Sequence, residues 1–135
     1  MEMTYNHLNT DEFRGTTRAD YLIALDANFI VVVDGVTVYD EPSFPVVELA
    51  RSLLIRLQHP GRDDFEFESM SFEEVGSIAF CQTAAGWTFR TVFDPSARTA
   101  PIGWAAVESS CRRLISKVEA DLAALGLDPS KVLTW

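Results

Sequence analysis

Six carboxylates fall between positions 63 and 74, namely Asp63, Asp64, Glu66, Glu68, Glu73 and Glu74, and no other stretch gathers so many groups able to bind or catalyse. Glu66 and Glu68 alternate with Phe65 and Phe67. A strand there would hold both acids on one face and both rings on the other. Three roles are open to such a cluster. A solvated face needs no further cause. A contact surface for a basic partner gains association rate and specificity from complementary charge. A divalent metal site would need oxygen ligands converging on one point, and a paired-carboxylate active site would need a fixed separation of two acids. Gly61 stands in no calcium-loop register with these acids, which weighs against the metal.

The rest of the catalytic inventory is thin. His7 lies near the N-terminus and His59 in a turn that ends a helix. Cys81 sits in a strand pattern and Cys111 on the apolar stripe of a long helix, so both are expected to be reduced core thiols, packing as small hydrophobes. A Cys–His pair would need an exposed thiol within hydrogen-bond reach of an imidazole. Zinc-ligand spacing, a phosphate-cradling glycine loop and GxSxG are absent from the sequence. No cofactor and no catalytic residue is expected.

The elements that must position these groups follow from periodicity. Trp104, Val107, Cys111, Leu114, Ile115, Val118, Leu122 and Leu125 recur in steps of three and four, which predicts one helix with a buried face from Trp104 to Leu125. Gly103 is a plausible N-cap, and Gly126 can take the left-handed conformation that ends a helix, with Leu127 folding back. A second helix is predicted after Pro45, with Ser43 or Phe44 as its cap. Val46, Val47, Leu49, Ala50, Leu53, Leu54 and Leu57 form its stripe, about 160° wide. Ile55 lies opposite and is expected to be a lone exposed apolar residue. Strands are expected over residues 3–7, 21–25, 29–33, 36–39, 65–68, 77–82 and 87–93. Asp34-Gly35 is a two-residue hairpin signal, Asp26-Ala27-Asn28 reads as a turn, and residues 40–43 break the pattern. Trp87, Phe89, Thr91 and Phe93 would share a face on which the long helix could lie. The expected fold is α+β: a single domain over residues 1–135, an antiparallel sheet of six or seven strands and two helices, the long C-terminal one packed on the sheet.

The net charge is −9, unevenly spread. Residues 1–75 hold 15 of the 20 acids and 5 of the 11 bases, a balance of −10, whereas residues 76–135 balance at +1. A phosphate backbone would be repelled by the first part and barely attracted by the second, so nucleic acid is not an expected partner. The longest apolar run, Phe29 to Val33, is far too short to span a bilayer, and the first twenty residues lack the apolar core of a signal peptide. A cytoplasmic location is the expectation.

Three segments read as familiar together: Glu41 to Arg51 (EPSFPVVELAR), Ser69 to Glu74 (SMSFEE) and Leu125 to Pro129 (LGLDP). They resemble an uncharacterised family of small actinobacterial single-domain proteins, with the likeness running from about Thr4 to the end, and the resemblance supplies no catalytic residue. In size, charge and fold class the chain is also similar in type to bacterial toxin-immunity proteins, by analogy alone. The leading expectation is a non-enzymatic protein-binding domain of immunity type, offering Asp63, Asp64, Glu66, Glu68, Glu73 and Glu74 to a basic partner. The alternative is a small-ligand binder or enzyme with a pocket between sheet and C-terminal helix, lined by Trp87, Phe89 and Trp104. A third reading is a homo-oligomer, joined through Ile55, Trp135 or an unpaired sheet edge.

Overall fold

Residues 1–9, 22, 25–59, 64–70, 75–94 and 99–133 are described in the computed structural model. Among them run six strands, β1 (Glu2–Asn9), β2 (Asp26–Val33), β3 (Val36–Phe44), β4 (Phe65–Glu66), β5 (Ala79–Thr83) and β6 (Gly86–Arg90). Three helices accompany them, α1 (Val46–Gln58), α2 (Trp104–Ala124) and α3 (Pro129–Leu133). The fold is α+β, but the strands form two antiparallel three-stranded sheets, β1-β2-β3 and β4-β5-β6, rather than one.

The first sheet is built on alternation. Along β2, Ala27, Phe29, Val31 and Val33 are buried, while Asp26, Asn28, Ile30 and Val32 are half-exposed. Met3 and Tyr5 of β1 join the buried side. Asp34 and Gly35 both have positive φ, 52° and 76°, as a type I′ turn requires, and they join β2 to β3. Two expected breaks are absent. Asp26-Ala27-Asn28 is not a turn; it extends β2, because its polar residues occupy outward positions while Ala27 points in opposite Phe44. Likewise β3 runs through Asp40-Glu41-Pro42-Ser43. It is the outermost strand of its sheet, where a proline's missing N–H leaves no ladder bond unmade. The expected strand at 21–25 lies largely outside the described residues; Leu22 has helical backbone, and both Leu22 and Leu25 are buried.

Helix α1 begins with Pro45 as N-cap, not Ser43 or Phe44 as expected, since β3 continues to Phe44. It lies against β2 and α2, and α2 also packs on β1. Ile55 is half-buried rather than exposed. Helix α2 buries Val107, Cys111, Leu114, Ile115, Val118 and Leu122 of the expected stripe, together with Ser110, while Trp104 is half-buried and Leu125, which caps the helix instead of ending it, is exposed. Gly126, at φ 82°, closes it: its N–H donates to Ala123 O and that of Leu127 to Leu122 O, the paired bonds of a Schellman end. Tyr5 Oη donates to Asp121 Oδ2 and Lys117 Nζ stands 4.1 Å over the Tyr5 ring, tying the helix to β1. The tail folds into α3, whose Asp128 caps Ser130 N–H at 3.0 Å and buries Val132 and Leu133. The docking of Trp135 lies outside the described residues.

The second sheet joins the same core through aromatic rings. Tyr39 meets Phe89 at 6.3 Å and Phe44 meets Phe67 at 5.7 Å between centroids. Of the row expected to carry the long helix, Phe89 thus meets the first sheet. Trp87 receives α2 through Trp104 at 4.9 Å, and Phe93 is exposed because the chain turns at 91–94. Gly86 closes the β5–β6 hairpin at φ 140°, and a Cβ there would sit 2.8 Å from Ile102 O. This close approach allows Trp87 and Ile102 to exchange backbone hydrogen bonds of 2.8 and 2.9 Å.

Candidate functional site

The open face of the second sheet is written by register. Phe65 pairs with Phe80, Glu66 with Ala79, and Ala79 with Arg90. Because side chains alternate, Phe65, Phe67 and Phe80 go into the core, and Asp64, Glu66 and Glu68 line the other side, all three exposed. Ala79, Cys81, Thr88 and Arg90 share that outer face across the strands. The expected alternation from Phe65 to Glu68 is therefore present, with backbone pairing prolonged past β4 by Phe67 N–H to Ile78 O at 2.9 Å. Asp63, Glu73 and Glu74 lie outside the described residues.

Two fastenings hold the acidic strand. Asp64 Oδ1 accepts the Gln82 backbone N–H at 2.7 Å, so this carboxylate is partly engaged with the neighbouring strand. At the other end Glu48, only 5% exposed, accepts from Ser69 Oγ and, at 3.1 Å, from Met70 N–H. Glu48 is the third residue of α1, where an acid commonly reaches back to the N-cap amide. Pro45 has no amide to offer, so Glu48 turns outward to the 69–70 segment instead. On the wheel it reads as a polar-side residue; the proline cap was the available clue that its usual partner is missing.

Replacing Glu48 by alanine should remove its part-buried hydrogen bonds from Ser69 Oγ and Met70 N–H, bonds to a carboxylate, costing about 2–3 kcal/mol. Glu48→Gln, which keeps one acceptor oxygen, should lose less than half as much. Denaturant midpoints at constant slope measure both; equal losses would mean that the acceptor is irrelevant.

Beside Glu66 the face is hollowed into an open recess of about 380 Å³, lined by Glu66, Val75, Gly76, Cys81, Arg90 and Val92 among others. Arg90 is half-buried, and its Nε is fully buried with no hydrogen-bond partner among the described residues. Cys81, expected in the core, is half-buried here, because the alternation that sends Phe80 inward sends Cys81 out. Cys111 is a core thiol as expected; burial pushes its pKa up to about 12. Neither thiol is in a disulfide. Among the described residues, no three His, Cys, Asp or Glu side chains come together closely enough to hold a metal ion.

The rings named for an interior pocket are themselves packed: Trp87 and Phe89 are each 3% exposed, and the half-buried Trp104 carries Arg56 at 5.1 Å over its face. Arg90 and the recess were not legible beforehand, since cross-strand neighbours depend on register.

Among the described residues, two antiparallel three-stranded sheets and three helices define an α+β fold. Residues 1–124 match the family described as Domain of unknown function (DUF7878), and the chain belongs to that family. No curated protein and no solved structure matches the chain. Among the described residues no helix is long and apolar enough to cross a membrane.

Proposed function

We propose that this chain is a non-enzymatic protein-binding domain, of the type of cytoplasmic toxin-immunity inhibitors, whose acidic face receives a basic protein partner. The observation that carries the reading is the row Asp64, Glu66 and Glu68, exposed together on a strand whose other face is anchored by buried Phe65 and Phe67. A rigid backing matters because charges already held in place lose little freedom when a partner arrives. Glu48, fixing residues 69 and 70, adds to that backing, and a net charge of −9 supplies long-range attraction.

The test is capture from lysate on immobilised protein at rising salt, with the variant Glu66→Gln/Glu68→Gln/Glu73→Gln/Glu74→Gln beside it and lysozyme as a non-specific cationic control. One basic protein should be retained by the native chain at low salt, released as salt screens the pairing, and lost with the variant. Equal recovery by native chain and folded variant would remove the acidic face from the interaction.

A further inference from the structure

We propose that the recess beside Glu66 is a binding site for a zwitterionic amino acid, the ligand's carboxylate on the Arg90 guanidinium and its ammonium on the Glu66 carboxylate. This goes beyond the partner reading; of the acidic row it takes Glu66 as a wall of the site and Asp64 and Glu68 as surrounding charge.

The two charges face one hollow without meeting. Glu66 and Arg90 lie on the outer strands of the sheet with Ala79 between them, so their Cα atoms are separated by two strand spacings, about 9–10 Å. No ion pair within 4.0 Å joins them among the described residues. Arg90 Nε is closed off inside, while the residue as a whole is half-buried, so a ligand carboxylate would meet the guanidinium through its Nη groups. An anion alone, however, would meet the repulsion of Glu66, and a cation alone that of Arg90. A molecule bearing both charges satisfies both walls.

Shape and surplus charge narrow the class. The volume of about 380 Å³ falls within the usual range of small-molecule sites, roughly 300–1,000 Å³, and suits an amino acid. Glu66 Oε2 lies 3.9 Å from where a Cβ on Gly76 would stand, so the glycine leaves the floor low beside the carboxylate. Val75 and Val92 give apolar flanks for an aliphatic stem. Asp64 and Glu68 on the same face outweigh the single Arg90, which favours a ligand with a second cationic group, a basic amino acid such as lysine.

Cys81 supplies the readout, since it lines the recess while Cys111 is 2% exposed in the core. The rate at which a thiol reagent such as DTNB modifies Cys81 is measured with L-lysine, with pentane-1,5-diamine, which lacks the carboxylate, and with hexanoate, which lacks the ammonium. L-lysine at ten times its dissociation constant should slow modification about tenfold by occupancy, and shift the Arg90 Nε–Hε resonance; the other two should do neither. Glu66→Gln, at an exposed position, and Arg90→Lys, which keeps charge but loses the planar fork, should each abolish protection. Protection by the diamine equal to that by lysine would overturn the zwitterion site while leaving the acidic-face reading intact. Absence of protection by lysine up to its solubility limit would overturn it as well. Lysine protection alongside a failed pull-down would remove the partner reading alone.

Discussion

Phe44→Ala is expected to destabilise the protein by about 4 kcal/mol, the usual scale for deleting a fully buried aromatic ring from a core that cannot collapse. Phe44 is 0% exposed and ends β3, the strand through which the two sheets communicate. Its ring stacks on Phe29 at 4.7 Å in the first sheet, meets Tyr39 edge-on at 5.8 Å, and touches Phe67 at 5.7 Å in the second. Removing it empties the joint itself. Against a typical total stability of about 5–15 kcal/mol this is a large share. Phe44→Leu, which refills most of the space, should lose roughly 1–2 kcal/mol. Guanidinium unfolding of the three proteins measures both. A loss below about 1 kcal/mol for Phe44→Ala would mean that the ring is not part of the joint.

The second large effect is an alkaline loss of stability beginning near pH 9. Burial is the main reason the Cys111 thiol is raised from 9.0 to about 12, with Arg56 drawing it back and Glu108 adding to the rise. In the unfolded chain the same thiol ionises near its ordinary value. Between pH 9 and 12 the folded state therefore holds a proton that the unfolded state has released, and folding weakens as pH climbs. Below pH 9 both states carry the proton and this contribution is fully present. The slope from Cys111 approaches about 1.4 kcal/mol per pH unit inside the window. Tyr5 and Tyr39, whose phenols burial also raises above their ordinary value, add to the loss above about pH 10. Denaturation under reducing conditions at successive pH values should show the decline. Cys111→Ala should flatten it between pH 9 and 10, and a slope unchanged by that substitution would assign the transition elsewhere.

Elements governed by local rules were legible from residue types. The long helix announced itself through its three-and-four spacing and its terminal Gly126, and Asp34-Gly35 specified a turn that only positive φ at both positions can make. Polar residues misled wherever a partner strand, not the chain itself, decided the matter. Asp26 and Asn28 look like a turn until β1 and β3 flank them, and Pro42 looks like a break until β3 is found at an edge. The division into two sheets could not be read either, because it depends on which strands meet. The same holds for the site. Alternation of Glu66 and Glu68 with phenylalanines is a property of one strand and was readable; the opposition of Glu66 to Arg90 across Ala79 is a property of three.

The outer border of β3 bears on how the protein behaves when crowded with copies of itself. Asp40, Pro42 and Ser43 are exposed there, Glu41 is partly so, and Pro42 carries no N–H. A strand arriving from another molecule would find a missing donor at 42 and would have to bring its own backbone beside two carboxylates. Such a border resists the edge-to-edge growth that leads from soluble protein to fibrils. Along this border, self-association must use side chains instead of extending the sheet, and high concentration alone should not convert the fold into a template for its neighbours.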